Sequence, residues 1–255
     1  MAPRTPKRRR RRTAAGDIAV GNSILAALLA SEYRHLLPRL ERVQLKRGQV
    51  VYRADQDIDA VYFPEQAVIA MVDVMEDGRT IEVGIIGREG LVGINVFLGG
   101  IVTPDKAIVQ LPGGALRMRT KDLCKEVRFG SPLQRLLLDY TRSFLAVISQ
   151  SVACSQHHGI DQRLARWLLT MHDYAGPGEF LMVHESIAAM LGVRRVGITE
   201  AAQRLQADGL IGYRRGRIRV LDKAELGKRS CECYRYIRQQ YQRLHEELPR
   251  LLSGK

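Results

Sequence analysis

Cysteine, acidic residues and long apolar segments are all scarce in this 255-residue sequence. The four cysteines, at positions 124, 154, 231 and 233, do not make the disulfide framework of a small secreted domain. A reducing compartment, the cytoplasm, is therefore expected. No apolar stretch is long enough to span a membrane, and the basic N-terminus lacks the apolar segment of a secretory signal. We expect a chain without a membrane partner.

The shortage of acidic residues leaves the chain strongly basic. It has 40 lysines and arginines against 27 aspartates and glutamates, with a formal net charge of +13. Such a charge predicts a polyanionic partner, and double-stranded DNA fits best. Part of the charge comes from Arg4, Lys7 and Arg8–Arg12, so residues 1–21 are predicted to be a disordered arginine-rich tail. That tail either contacts DNA phosphates or is simply solvated.

The segment Val183–Val220 carries the most specific pattern, VHESIAAMLGVRRVGITEAAQRLQADGLIGYRRGRIRV. It predicts a first helix over 185–190, a turn in which Gly192 adopts positive φ, and a second helix over 194–207. Two short β-rich runs around the arginines at 214, 215 and 217 then predict a hairpin, or wing. This order is typical of a winged helix-turn-helix, whose second helix enters the DNA major groove. The alternative, a helical hairpin with a solvated basic face, leaves the turn glycine unexplained.

A second domain is predicted over residues 22–131. A helical region at Asn22–Leu40, capped by Asn22 or Ser23, precedes short β-rich runs separated by turns such as Asp77-Gly78. The runs are 50–52, 61–63, 68–75, 80–86, 107–111 and 115–118. This spacing predicts a β-roll of the jelly-roll kind, which either holds a small ligand or is a packed core. A metal enzyme on this barrel is not expected, because residues 43–118 contain neither histidine nor cysteine.

One long helix is predicted over residues 132–158. Apolar and small residues recur along it at alternating steps of four and three, which is the spacing of a coiled-coil seam. The predicted seam comprises Leu133, Leu137, Tyr140, Phe144, Val147, Ser151 and Cys154. We predict that it joins two chains, or else that the helix is simply buried. The remaining apolar residues are expected to pack on the β-roll: Leu136, Leu138, Leu145, Ile148 and Val152.

The predicted fold class is therefore α+β, with an N-terminal β-roll, a long dimerisation helix and a C-terminal winged helix-turn-helix. The DNA-binding domain is placed at residues 159–224 and begins with a helix over 162–174 that Asp161 caps. A helical extension at 225–255 is expected to dock on this domain or on the partner chain.

This order of parts resembles the Crp/Fnr superfamily, which includes the cyclic-AMP receptor protein. The resemblance covers about residues 23–224. It is most specific in the motif Ile187-Ala188-x-x-Leu191-Gly192-Val193 and in Gly216–Leu221, and the turn glycines Gly48, Gly78 and Gly93 also fit. The family implies a dimeric, sequence-specific transcription regulator, which a ligand or cofactor switches in many members.

The family's nucleotide pocket is degenerate in this sequence. Its nucleotide-binding members place a glutamate after a loop glycine, and an arginine and a small hydroxyl residue on the cyclic phosphate. The matching positions are Gly93, Ile94, Asp105 and Lys106. A carboxylate repels a phosphate and the bidentate arginine is missing, although Lys106 restores some charge. We expect the domain not to bind cyclic nucleotide.

No metal or other cofactor is predicted. The iron–sulfur members carry a cysteine cluster near the N-terminus, whereas no cysteine here precedes Cys124. Cys231 and Cys233 alone do not close a zinc site. His157-His158 lies where a helix C-terminus favours histidine in any case. Cys154 is interpreted as a packing residue.

The resemblance also assigns the DNA contacts. The family's base-reading positions fall on Arg195, Val196, Thr199 and Glu200. Arg195 suits guanine and Val196 a thymine methyl, whereas Glu200 departs from the arginine of many members. Phosphate contacts are assigned to five arginines: Arg194, Arg204, Arg214, Arg215 and Arg217.

We expect a cytoplasmic homodimeric transcription regulator that is not an enzyme, with RNA polymerase as a candidate further partner. Two alternatives stay open. The chain could be a non-specific nucleoid-type DNA-binding protein, or a regulator that senses an unidentified small ligand or a redox signal.

Overall fold

The computed structural model describes residues 20–252, with side chains to residue 246. The arginine-rich tail lies outside these residues, apart from Val20 and Gly21. The helices are α1 Ser23–Ala27, α2 Ala30–Leu36, α3 Ile94–Phe97, α4 Thr120–Glu126, α5 Pro132–His157, α6 Ile160–Ala175, α7 His184–Leu191, α8 Arg195–Ala207, α9 Lys223–Arg229 and α10 Cys233–Leu252. The strands are β1 Glu41–Leu45, β2 Val50–Tyr52, β3 Ala60–Pro64, β4 Val68–Val74, β5 Thr80–Ile86, β6 Asp105–Leu111, β7 Gly113–Arg119, β8 Glu179–Leu181, β9 Ile211–Arg214 and β10 Arg217–Val220.

Two antiparallel sheets form the β-roll, with strand orders β1-β7-β3 and β2-β6-β4-β5. The predicted strands are confirmed, and β5 has the predicted bounds. The turn at Asp77-Gly78 joins β4 to β5 as expected, and Gly78 has a φ of +79°. Strand β1 and helices α3 and α4 were not predicted from the sequence. Among the described residues, no helix is long and apolar enough to cross a membrane.

Helix α5 packs its buried face directly on the β-roll. Ser131 caps the helix by accepting a hydrogen bond from the Gln134 amide at 3.2 Å, and Pro132 follows as its first residue. The Phe144 ring lies so close to Gly84 that an added Cβ there would be only 2.9 Å away. Tyr140 stacks on Phe144 with ring centroids 5.6 Å apart. Glycine on the roll therefore lets the two aromatic rings sit against its backbone.

The predicted dimer seam is wrong, because that face of α5 is buried within the single chain. Six of its residues are between 0 and 4% exposed: Leu133, Leu137, Tyr140, Phe144, Val147 and Cys154. The seventh, Ser151, is half-buried, and its hydroxyl donates to the Val147 carbonyl at 3.0 Å. The spacing of four and three fits a coiled coil, but it fits a helix packed on its own domain equally well.

Five further apolar residues of α5 were expected to pack on the β-roll, and this prediction is correct for only two of them. Leu136 is fully buried and Ile148 packs against the same core as the β-roll. In contrast, Leu138, Leu145 and Val152 are 53, 57 and 60% exposed. They lie seven residues apart and form an apolar stripe on the outer face of α5. We call these three residues the outer stripe.

The C-terminal extension packs on the long helix of its own chain. Helix α10 lies along α5 in the antiparallel sense: its first residue, Cys233, is beside Cys154 near the end of α5, and Leu244 joins the core that contains Tyr140. Helix α9 packs on α6. The extension was expected on the DNA-binding domain or on a partner, so its main contact was not foreseen.

We predict that Asn22→Ala destabilises the β-roll by about 2–4 kcal/mol, as a lost helix cap and two unpaired carbonyls would together cost. The Asn22 side chain is fully buried. Its oxygen accepts from the amides of Ile24 and Leu25, and its nitrogen donates to the carbonyls of Pro64 and Gly90 at 3.1 and 2.9 Å.

Denaturant unfolding of the full chain measures this change. Ser31→Ala, at an exposed position of α2, is the control and should stay within about 0.5 kcal/mol of wild type. Equal stability of the two variants would contradict the structural role of Asn22.

Candidate functional site

Helices α7 and α8 form the predicted helix-turn-helix. Helix α7 ends at Gly192, which has a φ of +63°, and the Val193 amide donates to the Ala188 carbonyl at 3.0 Å. Ala188 is buried in the same apolar cluster as the inner residues of α8. Helix α8 buries its inner residues at Ile198, Ala201, Ala202 and Leu205. The expected helix ends are confirmed to within two residues.

The wing is a three-stranded sheet with the order β8-β10-β9. β9 and β10 pair antiparallel, with Arg214 opposite Arg217. The two residues between them, Arg215 and Gly216, both have positive φ, at +50° and +75°. This is the backbone of a tight two-residue hairpin turn. Arg214, Arg215 and Arg217 are all exposed, as is Arg219 of β10, so the wing presents four guanidinium groups to solvent.

The N-terminal end of α8 presents the predicted base-reading residues. Arg195, Val196 and Glu200 are exposed, and Val196 is 65% exposed although it is apolar. The nearest acidic partner of Arg195 is Glu185 on α7, with Nε and Oε2 3.8 Å apart. Arg195 is therefore held only loosely and can turn towards a base.

Thr199 differs from the other three positions, because its hydroxyl is already engaged. It donates to the Arg195 carbonyl at 3.1 Å and lies 3.0 Å from Nδ1 of His184. The His184 ring stacks on Tyr213 of the wing at 4.2 Å between centroids. Burial, and then the charge of Arg195, lower the pKa of His184. Thr199 and His184 thus tie α8 to α7 and the wing.

Arg204 also has a structural partner. Its guanidinium forms a bidentate ion pair with Asp161 of α6, with Nη2–Oδ1 and Nε–Oδ2 distances of 2.7 and 3.2 Å. Asp161 lies in the first turn of α6 and does not cap it as predicted, since the cap is Gly159. Arg194 is exposed beside the start of α8. The predicted phosphate contacts of the wing, Arg214, Arg215 and Arg217, are exposed too, as is Arg204 despite its ion pair.

A hydrogen-bonded network lies at the degenerate nucleotide-pocket positions. Asp105 is 5% exposed; one carboxylate oxygen accepts from the Tyr52 hydroxyl at 2.6 Å, and the other accepts from the Thr103 hydroxyl. Asn95 donates to the same Thr103 oxygen at 2.7 Å. Desolvation, and then the charge of Asp105, raise the pKa of Tyr52, so its proton stays in place. Both oxygens of the carboxylate are therefore occupied within the protein.

The other three pocket positions are Gly93, Ile94 and Lys106, and each is part of a helix cap, helix or strand of the β-roll. Gly93 has a φ of +87° and caps α3, and Ile94 is 4% exposed in the first turn of that helix. Lys106 is half-buried on β6. No arginine stands at the matching positions, so the loop offers no bidentate anion contact there.

The DNA-binding domain rests on the β-roll. An added Cβ at Gly192 would lie 3.0 Å from Cδ1 of Ile81 on β5. Arg47 donates from Nη1 to the Leu181 carbonyl at 3.0 Å, and Trp167 donates from Nε1 to Glu82 at 3.3 Å. A change in the β4–β5 hairpin would therefore reach the turn of the helix-turn-helix directly.

Three cysteines and a histidine that lie in two distant parts of the sequence meet at the end of α5. Cys154, Cys231 and Cys233 are buried, and the Sγ atoms of Cys154 and Cys231 are 3.6 Å apart. Nδ1 of His158 lies 3.6 Å from Sγ of Cys233. The sequence carried two short-range signals: the pair Cys231-x-Cys233, and the spacing Cys154-x-x-x-His158, which places these two residues about one helical turn apart.

A winged helix-turn-helix joined to a β-roll by a long helix defines a DNA-binding regulator with a sensor-type domain. The model of the Crp-like helix-turn-helix domain matches residues 162–229, and that of the cyclic nucleotide-binding domain matches residues 42–126. Together they cover more than half of the chain. The chain belongs to the Crp/Fnr family of transcription regulators.

Several solved structures share the fold. FixK2 from Bradyrhizobium japonicum has a TM-score of 0.65 and 17% identity, covering 75% of this chain and 98% of FixK2. A putative Crp/Fnr regulator from Eubacterium rectale has a TM-score of 0.61 and 19% identity, covering 80 and 96%. The c-di-GMP-responsive regulator CLP from Xanthomonas campestris has a TM-score of 0.59 and 15% identity, covering 76 and 100%. None of the curated proteins compared with the chain matches it.

We predict that Glu82→Gln stabilises the chain at pH 8 but not at pH 5. Burial raises the pKa of Glu82 to about 7, against the opposing effects of Arg166 and Trp167. A carboxyl with a raised pKa in the folded state favours folding while it is protonated. Its contribution is complete below the unfolded pKa of about 4.3 and is lost as the pH rises towards 7.

Unfolding free energies of wild type and variant between pH 5 and pH 8 test this prediction. Glu76→Gln, at an exposed position near the β4–β5 turn, is the control and should follow wild type at every pH. A Glu82→Gln advantage that did not grow with pH would contradict the assignment.

Proposed function

We propose that the protein is a homodimeric regulator that reads a two-fold symmetric DNA sequence and does so without a cyclic nucleotide. The observation that carries this proposal is the exposed start of α8, where Arg195 and Val196 project next to a cationic wing. Such a helix end reads base edges in the major groove while flanking arginines hold the phosphates. RNA polymerase stays a candidate partner.

The outer stripe supports the dimer. Leu138, Leu145 and Val152 repeat every seven residues along one face of α5, and each is more than half exposed in the described chain. Two such helices, packed side by side, would bury the stripe as one half of a heptad seam. Symmetric readers use a dimer of this kind to set the distance between half-sites. This replaces the seam predicted from the sequence.

The Asp105 network supports the absence of cyclic nucleotide. A phosphate placed near Asp105 would meet a buried carboxylate, and it would have to break the hydrogen bonds from Tyr52 and Thr103. Leaving such buried groups unpaired costs about 1–3 kcal/mol each. An alternative signal would have to act elsewhere, for instance at the contact of the β4–β5 hairpin with Gly192.

The regulatory mechanism we propose is a change in the relative positions of the two winged helix-turn-helix domains of the dimer. We call these two domains the reading heads. Helix α5 leads into α6 through His158 and Gly159 alone, so movement at the end of α5 reaches the helix-turn-helix through two residues. A non-specific nucleoid-type protein is the second candidate, favoured by the net charge of +13. Its affinity would be similar for all sequences and would fall steeply with salt.

Selection of bound DNA from a random pool separates these two functions, and variants at two arginines sharpen the result. We expect wild type to enrich a palindromic motif without added ligand.

Arg195→Ala should lose about 1–3 kcal/mol of binding free energy at one base position in each half-site. Arg215→Ala, on the wing, should weaken all sequences equally and reduce the salt slope by about one. A uniform loss for Arg195→Ala would make Arg195 a phosphate contact.

The outer stripe is tested by Leu145→Glu. Two carboxylates buried unpaired at the centre of the seam should raise the dimer dissociation constant by roughly two orders of magnitude or more. Analytical ultracentrifugation measures the constant, and circular dichroism checks the fold. Leu98→Glu, equally exposed on the β-roll at 58%, is the matched control and should remain dimeric. A Leu145→Glu variant that dimerises like wild type would place the interface elsewhere.

A further inference from the structure

We propose that Cys154, His158, Cys231 and Cys233 bind one Zn²⁺ ion in a closed structural site. One donor atom from each residue lies within 4.8 Å of all the others. Cys154 lies in the last turn of α5 and His158 directly follows that helix, whereas Cys231 lies between α9 and α10 and Cys233 is the first residue of α10. Three thiolates and one imidazole are a common donor set of structural zinc.

The distances between the donors fit a tetrahedral ion. A zinc–sulfur bond of about 2.3 Å gives a separation of about 3.8 Å between two sulfurs on the same tetrahedral ion. The Sγ atoms of Cys154 and Cys231 are 3.6 Å apart, and Sγ of Cys233 is 3.6 Å from Nδ1 of His158. An iron–sulfur cluster would need its thiolates spread around several metal atoms, so four donors this close favour a single ion.

The surroundings of the four donors are those of a metal site. Nδ1 of His158 faces the sulfurs, while its Nε2 lies 3.3 Å from Oε2 of Glu232. Such a carboxylate fixes the orientation of a ligating histidine and increases its basicity. Gln150, one turn before Cys154, donates from Nε2 to Sγ of Cys233 at 3.1 Å.

A packing role alone accounts poorly for this cluster. The three cysteines form a small group separate from the two large apolar cores of the chain. They are between 0 and 3% exposed. Four protein ligands fill the coordination sphere of a tetrahedral zinc ion, so no coordination position is free for a substrate or water. The site is therefore structural in kind, and it fastens the C-terminal extension to the end of α5.

The test is the metal content of the untagged full-length chain, purified under reducing conditions without chelator. Mass spectrometry of the metals should find one zinc per chain in wild type and in Cys124→Ser, which removes the exposed cysteine of α4. Cys233→Ser should retain less than a tenth of that zinc. Replacement of zinc by Co²⁺ in wild type should give the visible bands of a tetrahedral thiolate complex.

Two further measurements keep the proposal independent of the folding of the cysteine variant. A chelator should lower the thermal unfolding midpoint of wild type, since loss of a structural ion is loss of folding energy. Glu232→Gln, which keeps all four ligands, should weaken zinc binding by about 10–100-fold in a competition titration. If Glu232→Gln bound zinc as tightly as wild type, the Glu232 carboxylate would not orient His158 as a ligand, and this result would count against the site.

Several results would overturn the proposal. Folded wild-type protein without zinc, whose buried thiols react with a thiol reagent, would show that the four residues do not form a metal site. A disulfide between Cys154 and Cys231 in protein trapped at lysis would assign them to redox chemistry. Iron with acid-labile sulfide would replace the single ion by a cluster.

Discussion

The packing of α5 against glycines of the β-roll is the contact on which the rest of the structure depends. Phe144 can lie against β5, and Tyr140 against the loop that follows it, only because Gly84 and Gly90 carry no side chain. That contact turns the most apolar face of the helix inward and leaves the outer stripe exposed. The inward face also accepts α10, and the end of the helix carries both the link to the DNA-binding domain and the cysteine cluster.

Local features of the fold could be predicted from the sequence, because they depend on neighbouring residues. The turn at Gly192, the hairpin at Asp77-Gly78 and the cap at Asn22 each follow from the backbone preferences of a few adjacent residues. The helix-turn-helix and most strands were found in this way. Strand β1 was not predicted, because three of its five residues are polar or charged and only Leu45 is buried.

The direction in which α5 faces could not be predicted in the same way. A heptad pattern states that one face of a helix is buried, but not what covers it. Here the covering surfaces are β5 and α10, which lie far from α5 in the sequence. The same limit applied to the cysteines: Cys154 and Cys231 are 77 residues apart, so each looked isolated until the fold brought them together.

The meeting of Cys154 with Cys231 has a consequence for how the reading head can move. Residues 155–230, which include the helix-turn-helix and its wing, form a loop whose two ends leave from one place on α5. Because both ends are held at that place, the domain cannot be drawn away along the axis of the helix, and to swing it would have to break its contacts with Ile81 and Glu82 of β5. In a dimer, the distance between the two DNA half-sites would then depend on the angle between each reading head and its helix α5. A twist of α5 would set that angle.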